Sequence, residues 1–167
     1  MRLLLVFKVM LFTILVPGAV TLFFPYLLLS RLGDNLQAAS LVLAVPACVC
    51  ILIGTVIYLR CAWDFAIKGF GTPAPIDPPK KLVVTGLYRW VRNPMYQGVL
   101  LILLGECLLF PDRGLSIYTV SIALVFHVFV VFYEEPILRS RFGVSYNDYC
   151  RNVPRWDFAF RLFAINS

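Results

Sequence analysis

Apolar residues dominate four stretches of this chain, about Leu3–Leu29, Leu36–Leu59, Met95–Phe110 and Leu115–Leu138. Stretches of this length exceed the helices of soluble proteins and predict membrane spans. At ~1.5 Å per residue the first, second and fourth can each cross a hydrocarbon core of ~30 Å. The third has only about 16 residues, or roughly 24 Å. It must sit low, thin the bilayer or lean on its neighbours. Pro17 and Pro25 are expected to kink the first span, with neighbouring helices satisfying the freed carbonyls. That span is not expected to be a signal peptide, since its apolar run is too long for a typical h-region and no A-x-A-like site follows it.

Polar segments separate these runs. Gly69–Pro79 is punctuated by proline and glycine and predicts an extended, stiffened connector. Gly86 supplies a turn. Asn93-Pro94 reads as a helix start, with Asn93 as N-cap and Pro94 at the first helical position. After Gly143, Ser145-Tyr146-Asn147-Asp148 has the pattern of a capping box and predicts a short helix over Tyr146–Asn152, ended by Pro154. Phe142, Tyr146, Tyr149 and Cys150 would share one face of it, which either lies on the membrane or covers a pocket. The fold class is thus an all-α membrane protein with about four transmembrane helices plus a short C-terminal cytoplasmic amphipathic helix. It forms one domain: two spans in 1–62, a cytoplasmic loop in 63–94, a helical hairpin in 95–138 and a cytoplasmic tail in 139–167.

Composition agrees, with 60% hydrophobic and 14% charged residues. Basic residues concentrate in Arg60–Arg92 and in the tail, at Arg139, Arg141, Arg151, Arg155 and Arg161. The positive-inside rule then puts the middle loop and both termini in the cytoplasm. The net charge of +6 reads as topology and contact with anionic lipid, not as a nucleic-acid footprint. Five cysteines and one histidine lack zinc-type spacing, so no disulfide framework or metal site is expected.

The candidate chemistry lies at the ends of the last two spans. The first turn after Asn93 offers free amides beside Arg92, an anion site, unless Asn93 only caps and Arg92 only snorkels. Glu134 and Glu135 end the fourth span, where helix dipole and mutual repulsion disfavour them and Pro136 distorts the backbone. Arg92, Arg139, Arg141 or a cationic ligand must compensate, or the pair snorkels toward water. Glu106 and His127 lie inside spans, where ionisable groups are either functional or hydrogen-bonded between helices.

The spaced motifs Gly71-Thr72-Pro73-Ala74-Pro75, Arg92-Asn93-Pro94-Met95-Tyr96-x-Gly98, and Glu134-Glu135 through Phe142-Gly143, Tyr146 and Tyr149 to Val153-Pro154-Arg155 resemble the isoprenylcysteine carboxyl methyltransferase family in its short bacterial form. The resemblance covers about 69–156. It implies a multi-pass enzyme of the bacterial inner membrane that uses S-adenosylmethionine in a cytoplasmic pocket under the 139–167 tail. A lipophilic or prenylated acceptor would enter from the bilayer. By motif position the cofactor wall would include Gly86, Tyr88, Arg92, Asn93, Pro94, Tyr96, Glu134, Tyr146 and Tyr149. Glu135, Arg151 and Arg155 would serve catalysis, with Glu135 mattering more for turnover than for folding and the two arginines clamping an acceptor carboxylate. Many members carry His where this chain has Asn93, so proton transfer there is not expected. Phospholipid amine methyltransferases look similar in this region, and Tyr149-Cys150 is also similar to membrane sterol reductases that bind NADPH. Carboxyl methylation ranks first, amine methylation second; reduction and a non-catalytic scaffold or carrier rank below them.

Overall fold

The structure is a computed structural model and describes residues 2–33, 40–68, 82 and 84–157. The expected Gly69–Pro79 connector and the tail beyond Asp157, Arg161 included, lie outside the described residues. The described chain is helical and contains no strand. Helix α1 (Arg2–Leu15) leads through a π-helical turn (Ala19–Phe23) into α2 (Phe24–Ser30). Then come α3 (Leu41–Lys68), a 3-10 turn (Gly86–Arg89) and α4 (Pro94–Leu109). Helix α5 (Arg113–Phe129) passes through a second π-helical turn (Val130–Glu134) into α6 (Glu135–Phe142), and α7 (Val144–Asn152) follows.

Three of these units are long and apolar enough to cross a membrane: Met10–Ser30, Leu41–Phe65 and Arg113–Phe142. The apolar α4 is shorter, as its 16 residues require, and it leans on α3. The close approach is backbone to backbone. A Cβ on Gly54 would lie 2.6 Å from the Gly98 carbonyl oxygen, and one on Gly105 2.7 Å from that of Ala47. Small residues drive helix association in lipid because hydrocarbon tails are as apolar as leucine and only close packing distinguishes them. Gly98→Val is expected to destabilise the protein in detergent by ~1–3 kcal/mol, the usual effect of overpacking, read as a lowered Tm in a thermal-shift experiment.

Both long irregular spans bend at proline. The Phe24 N–H bonds back to the Ala19 carbonyl, so the widened turn falls between Pro17 and Pro25. The Thr21 hydroxyl donates to the Pro17 carbonyl at 2.8 Å. Ahead of Pro136 the Glu135 N–H bonds to the Val130 carbonyl in the same widened pattern, since a proline ring displaces the preceding carbonyl. Two expected caps differ from the structure. The Asn93 side chain makes no cap hydrogen bond because it is bonded elsewhere. Helix α7 starts at Val144, two residues before the expected start at Tyr146, with Gly143 at φ +53° as its N-cap instead of Ser145. Helix α3 also runs on to Lys68, beyond the expected end at Leu59, because Cys61, Ala62, Asp64 and Phe65 remain buried.

Candidate active site

Three chain segments converge at the Asn93 end of α4: the 3-10 turn, the α5–α6 junction, and α7 with the residues after it. Glu135 ties them together and is only 5% exposed. Its Oε1 accepts from Arg92 Nη1 at 2.9 Å and from Arg155 Nε at 2.7 Å, and its Oε2 accepts from Arg155 Nη2 at 3.0 Å. Arg139 stands farther off, 3.9 Å from Oε2. The bond from Glu135 raises the Arg155 pKa, which keeps this guanidinium charged. Of the two acids at the span end, Glu135 is therefore the one compensated by arginines, as helix-end electrostatics require.

Glu134 faces elsewhere. It lines an apolar cavity of about 470 Å³ together with Tyr88, Arg92, Asn93 and Tyr96 at one end and Val20, Tyr58, Val99 and Phe126 beyond. The Tyr96 hydroxyl donates to Glu134 Oε2 at 2.9 Å. The π-helical turn gives the two adjacent acids different partners, one in the cavity and one in the arginine cluster. Arg92 lies between them. Its Nη1 bonds to Glu135 and to Cys150 Sγ at 2.8 Å. Its Nε is buried with no hydrogen-bond partner among the described residues. A buried guanidinium N–H left unpaired is costly, so this donor fits an anionic or polar ligand group.

Tyr146 and Tyr149 of α7 pack with Val84 and Val153, with Leu82, Leu138 and Phe142 alongside. The face predicted for the short helix is therefore buried and covers the cluster. The Tyr149 hydroxyl donates to the Tyr88 carbonyl at 2.6 Å. Burial raises the pKa of Tyr88, Tyr146 and Tyr149 well above the phenol range. These residues act as neutral hydrogen-bond donors and packing groups, not as bases. Tyr149→Phe should loosen the turn that carries Tyr88 by ~1 kcal/mol, seen as a small drop in Tm.

Residues Pro154, Arg155 and Trp156 form a strap across the start of α4. Their carbonyls accept in order from the Arg92 N–H at 2.9 Å, from Asn93 Nδ2 at 3.1 Å and from Gln97 Nε2. Trp156 Nε1 also donates to His127 Nδ1 at 3.1 Å, which gives His127 a partner on the strap. Asn93 thus serves as a strap anchor.

The structure brings together Gly86, Tyr88, Arg92, Asn93, Pro94, Tyr96, Glu134, Glu135, Tyr146, Tyr149 and Arg155. It does not bring Arg151 to them: that side chain is 81% exposed and lies 3.7 Å from Asp148. Asp64, Gln97 and Trp156 were not anticipated. Asp64 is 3% exposed, and its Oδ2 lies 2.5 Å from where a Cβ on Gly86 would stand. With Gly86 at φ +61°, that position suits glycine alone. A lone acid near the end of a long apolar span was the available signal. Glu106 stays apart from the cluster, with a buried Oε2 that has no hydrogen-bond partner among the described residues.

The described residues thus form an all-helical membrane protein with a polar cluster opening into an apolar cavity at the span ends. Its kinship is visible in sequence: residues 42–145, more than half of the chain, match the family model of the phospholipid methyltransferases. The chain belongs to that family, which lies in the isoprenylcysteine carboxyl methyltransferase-like superfamily. The narrower isoprenylcysteine family is not what the match identifies. The matched region reaches back to the second span, which carries little visible signature, and stops before Tyr146. Neither the curated proteins nor the solved structures give a match. Membrane methyl transfer to a lipid-like acceptor follows from the family.

Proposed function

We propose that this protein is an S-adenosylmethionine-dependent methyltransferase whose acceptor headgroup meets the cofactor at Glu134, Arg92 and Tyr96. The observation that carries this reading is the cavity itself, whose one polar end lies among those residues and whose remainder is apolar. The donor set fits the cofactor: Arg92 Nε, which has no hydrogen-bond partner among the described residues, and the α4 start suit its carboxylate, and Glu134 suits its cationic end. When bound, S-adenosylmethionine supplies a methyl group from a sulfonium and is left as the neutral thioether. The residues of this chain align the partners and place charge, which dominates an in-line displacement. Charge asymmetry along the sequence supports a site on the cytoplasmic side.

The first acceptor reading is a carboxylate of an isoprenylcysteine-like molecule. Such an acceptor is anionic at neutral pH, forms its O–CH3 bond without releasing a proton, and needs no base. Arg92 is the cationic side chain that lines the cavity, and the exposed Arg151 is not required. The second reading is N-methylation of a phospholipid amine, prompted by the carboxylate in the cavity; the family match does not separate the two acceptor classes. An ammonium acceptor must first lose a proton, and Glu134 is placed to take it.

Two measurements test this. Calorimetry on the detergent-solubilised protein should show binding of S-adenosylmethionine and S-adenosylhomocysteine and none of NADPH; NADPH binding alone would point to a reductase. Arg92→Lys keeps a charge beside Glu135 but lacks Nε, so it should weaken binding of both cofactor forms by roughly 1.5–3 kcal/mol. Methylation with labelled cofactor of S-prenylcysteine against phosphatidylethanolamine then separates the two acceptor classes.

A further inference from the structure

A second apolar space adjoins the first. It measures about 970 Å³ and lies between the kinked first span and α3, lined by Thr13, Thr21, Leu22, Thr55, Leu59 and Ile102 among others. The two spaces share Pro17, Tyr58 and Val99 as walls. Between them the Tyr58 hydroxyl donates to Thr13 Oγ1 at 3.0 Å. Tyr58 is 5% exposed and fixed by this bond, so its ring and the Thr13 side chain form a tied partition.

The chemistry of the groove selects its occupant. Three of its hydroxyls already donate within the protein: Thr21 to the Pro17 carbonyl, Thr55 to the Ile51 carbonyl at 2.7 Å, and Tyr58 to Thr13. The rest of the lining is largely hydrocarbon. A headgroup would leave polar atoms unpaired there, whereas a hydrocarbon chain loses nothing. The groove is continuous with the wall of the cavity whose far end is polar. A molecule with one polar end and one long apolar chain matches both spaces in order.

We infer that the chain of the methyl acceptor runs from the cavity past Tyr58 into this groove, and that the Tyr58–Thr13 pair sets which chains are accepted. The inference rests on the methyltransferase reading above. A chain leaving the bilayer gains little from apolar contact alone, so the groove acts by shape. It rewards an acceptor long enough to reach past the partition and slender enough to pass it.

The test is acceptor chain length. Short- and long-chain S-prenylcysteines, and short- and long-chain phosphatidylethanolamines, are assayed with labelled S-adenosylmethionine on wild type, Leu59→Trp and Tyr58→Phe. Leu59 is 54% exposed and lines the groove outside the polar cavity, so tryptophan there fills space without crowding the site. Leu59→Trp should lower kcat/KM for the long-chain acceptor by roughly tenfold, the scale of a steric change in an apolar pocket. The short-chain acceptor and S-adenosylhomocysteine binding should be unchanged. Tyr58→Phe keeps the ring but unties it, and should raise the ratio of long- to short-chain activity. Equal effects on short and long chains, or none, would mean that only bulk lipid fills the groove and would overturn the inference while leaving the methyltransferase reading intact. A wild-type protein that binds cofactor yet methylates no acceptor of either class would overturn both.

Discussion

Glu135→Gln is expected to destabilise the folded protein in detergent by roughly 3–5 kcal/mol, the usual result of removing one partner from a buried ion pair. The substitution leaves Arg92 and Arg155 charged, with Arg92 buried to about the same degree as Glu135 itself, at 11% and 6% side-chain exposure. An amide cannot replace three charge-assisted bonds, because it accepts through one atom and its NH2 faces guanidinium donors. The loss should reach the site as well, since Glu135 holds the strap through Arg155 and the Asn93 end of α4 through Arg92. Thermal unfolding in detergent, with and without S-adenosylhomocysteine, measures it. A Glu135→Gln variant that kept the wild-type Tm while losing turnover would support the sequence expectation that Glu135 matters more for turnover than for folding.

That sequence expectation shows where pattern reading stops. The spans, their proline bends, the short α4 and the buried face of α7 were legible because hydropathy, proline chemistry and helical spacing act locally. The convergence of Arg92, Glu135 and Arg155 was legible only as a need: two acids at a helix end required cations, Arg92, Arg139 and Arg141 were the candidates, and Arg155 was not among them. Which of them answered depends on the π-helical turn before Pro136, which sets the facing of each acid and has no period of its own. Asn93 was assigned to a cap on local preference, yet the carbonyl of Arg155, 62 residues away in sequence, takes its amide. Arg151 was placed over the pocket by assuming that α7 folds back with that face inward. The inward face is instead that of Tyr146 and Tyr149, since two buried aromatic rings outweigh one arginine that can stay in water. Asp64 escaped notice because its partner surface, the Gly86 turn, is distant in sequence.

Glu134→Gln is expected to give the opposite phenotype from its neighbour: a Tm close to wild type and methyl transfer reduced by ~10²–10³-fold, the scale for removing one preorganised electrostatic group at a reacting centre. Gln keeps the acceptor for the Tyr96 hydroxyl and nearly the same shape, so the packing of the cavity end survives. What it loses is the negative charge that suits the sulfonium. Binding should therefore separate the two cofactor forms. S-adenosylmethionine carries the sulfonium charge and should bind more weakly to the variant, whereas S-adenosylhomocysteine lacks it and should bind nearly as before. With an amine acceptor the variant also loses its candidate base, and the defect should shrink as pH rises and more amine is free; with a carboxylate acceptor no such recovery is expected. The pH dependence of the residual rate thus reports the acceptor class from a single substitution. Equal weakening of both cofactor forms would place Glu134 away from the sulfonium, and a fully active variant would remove it from the reaction.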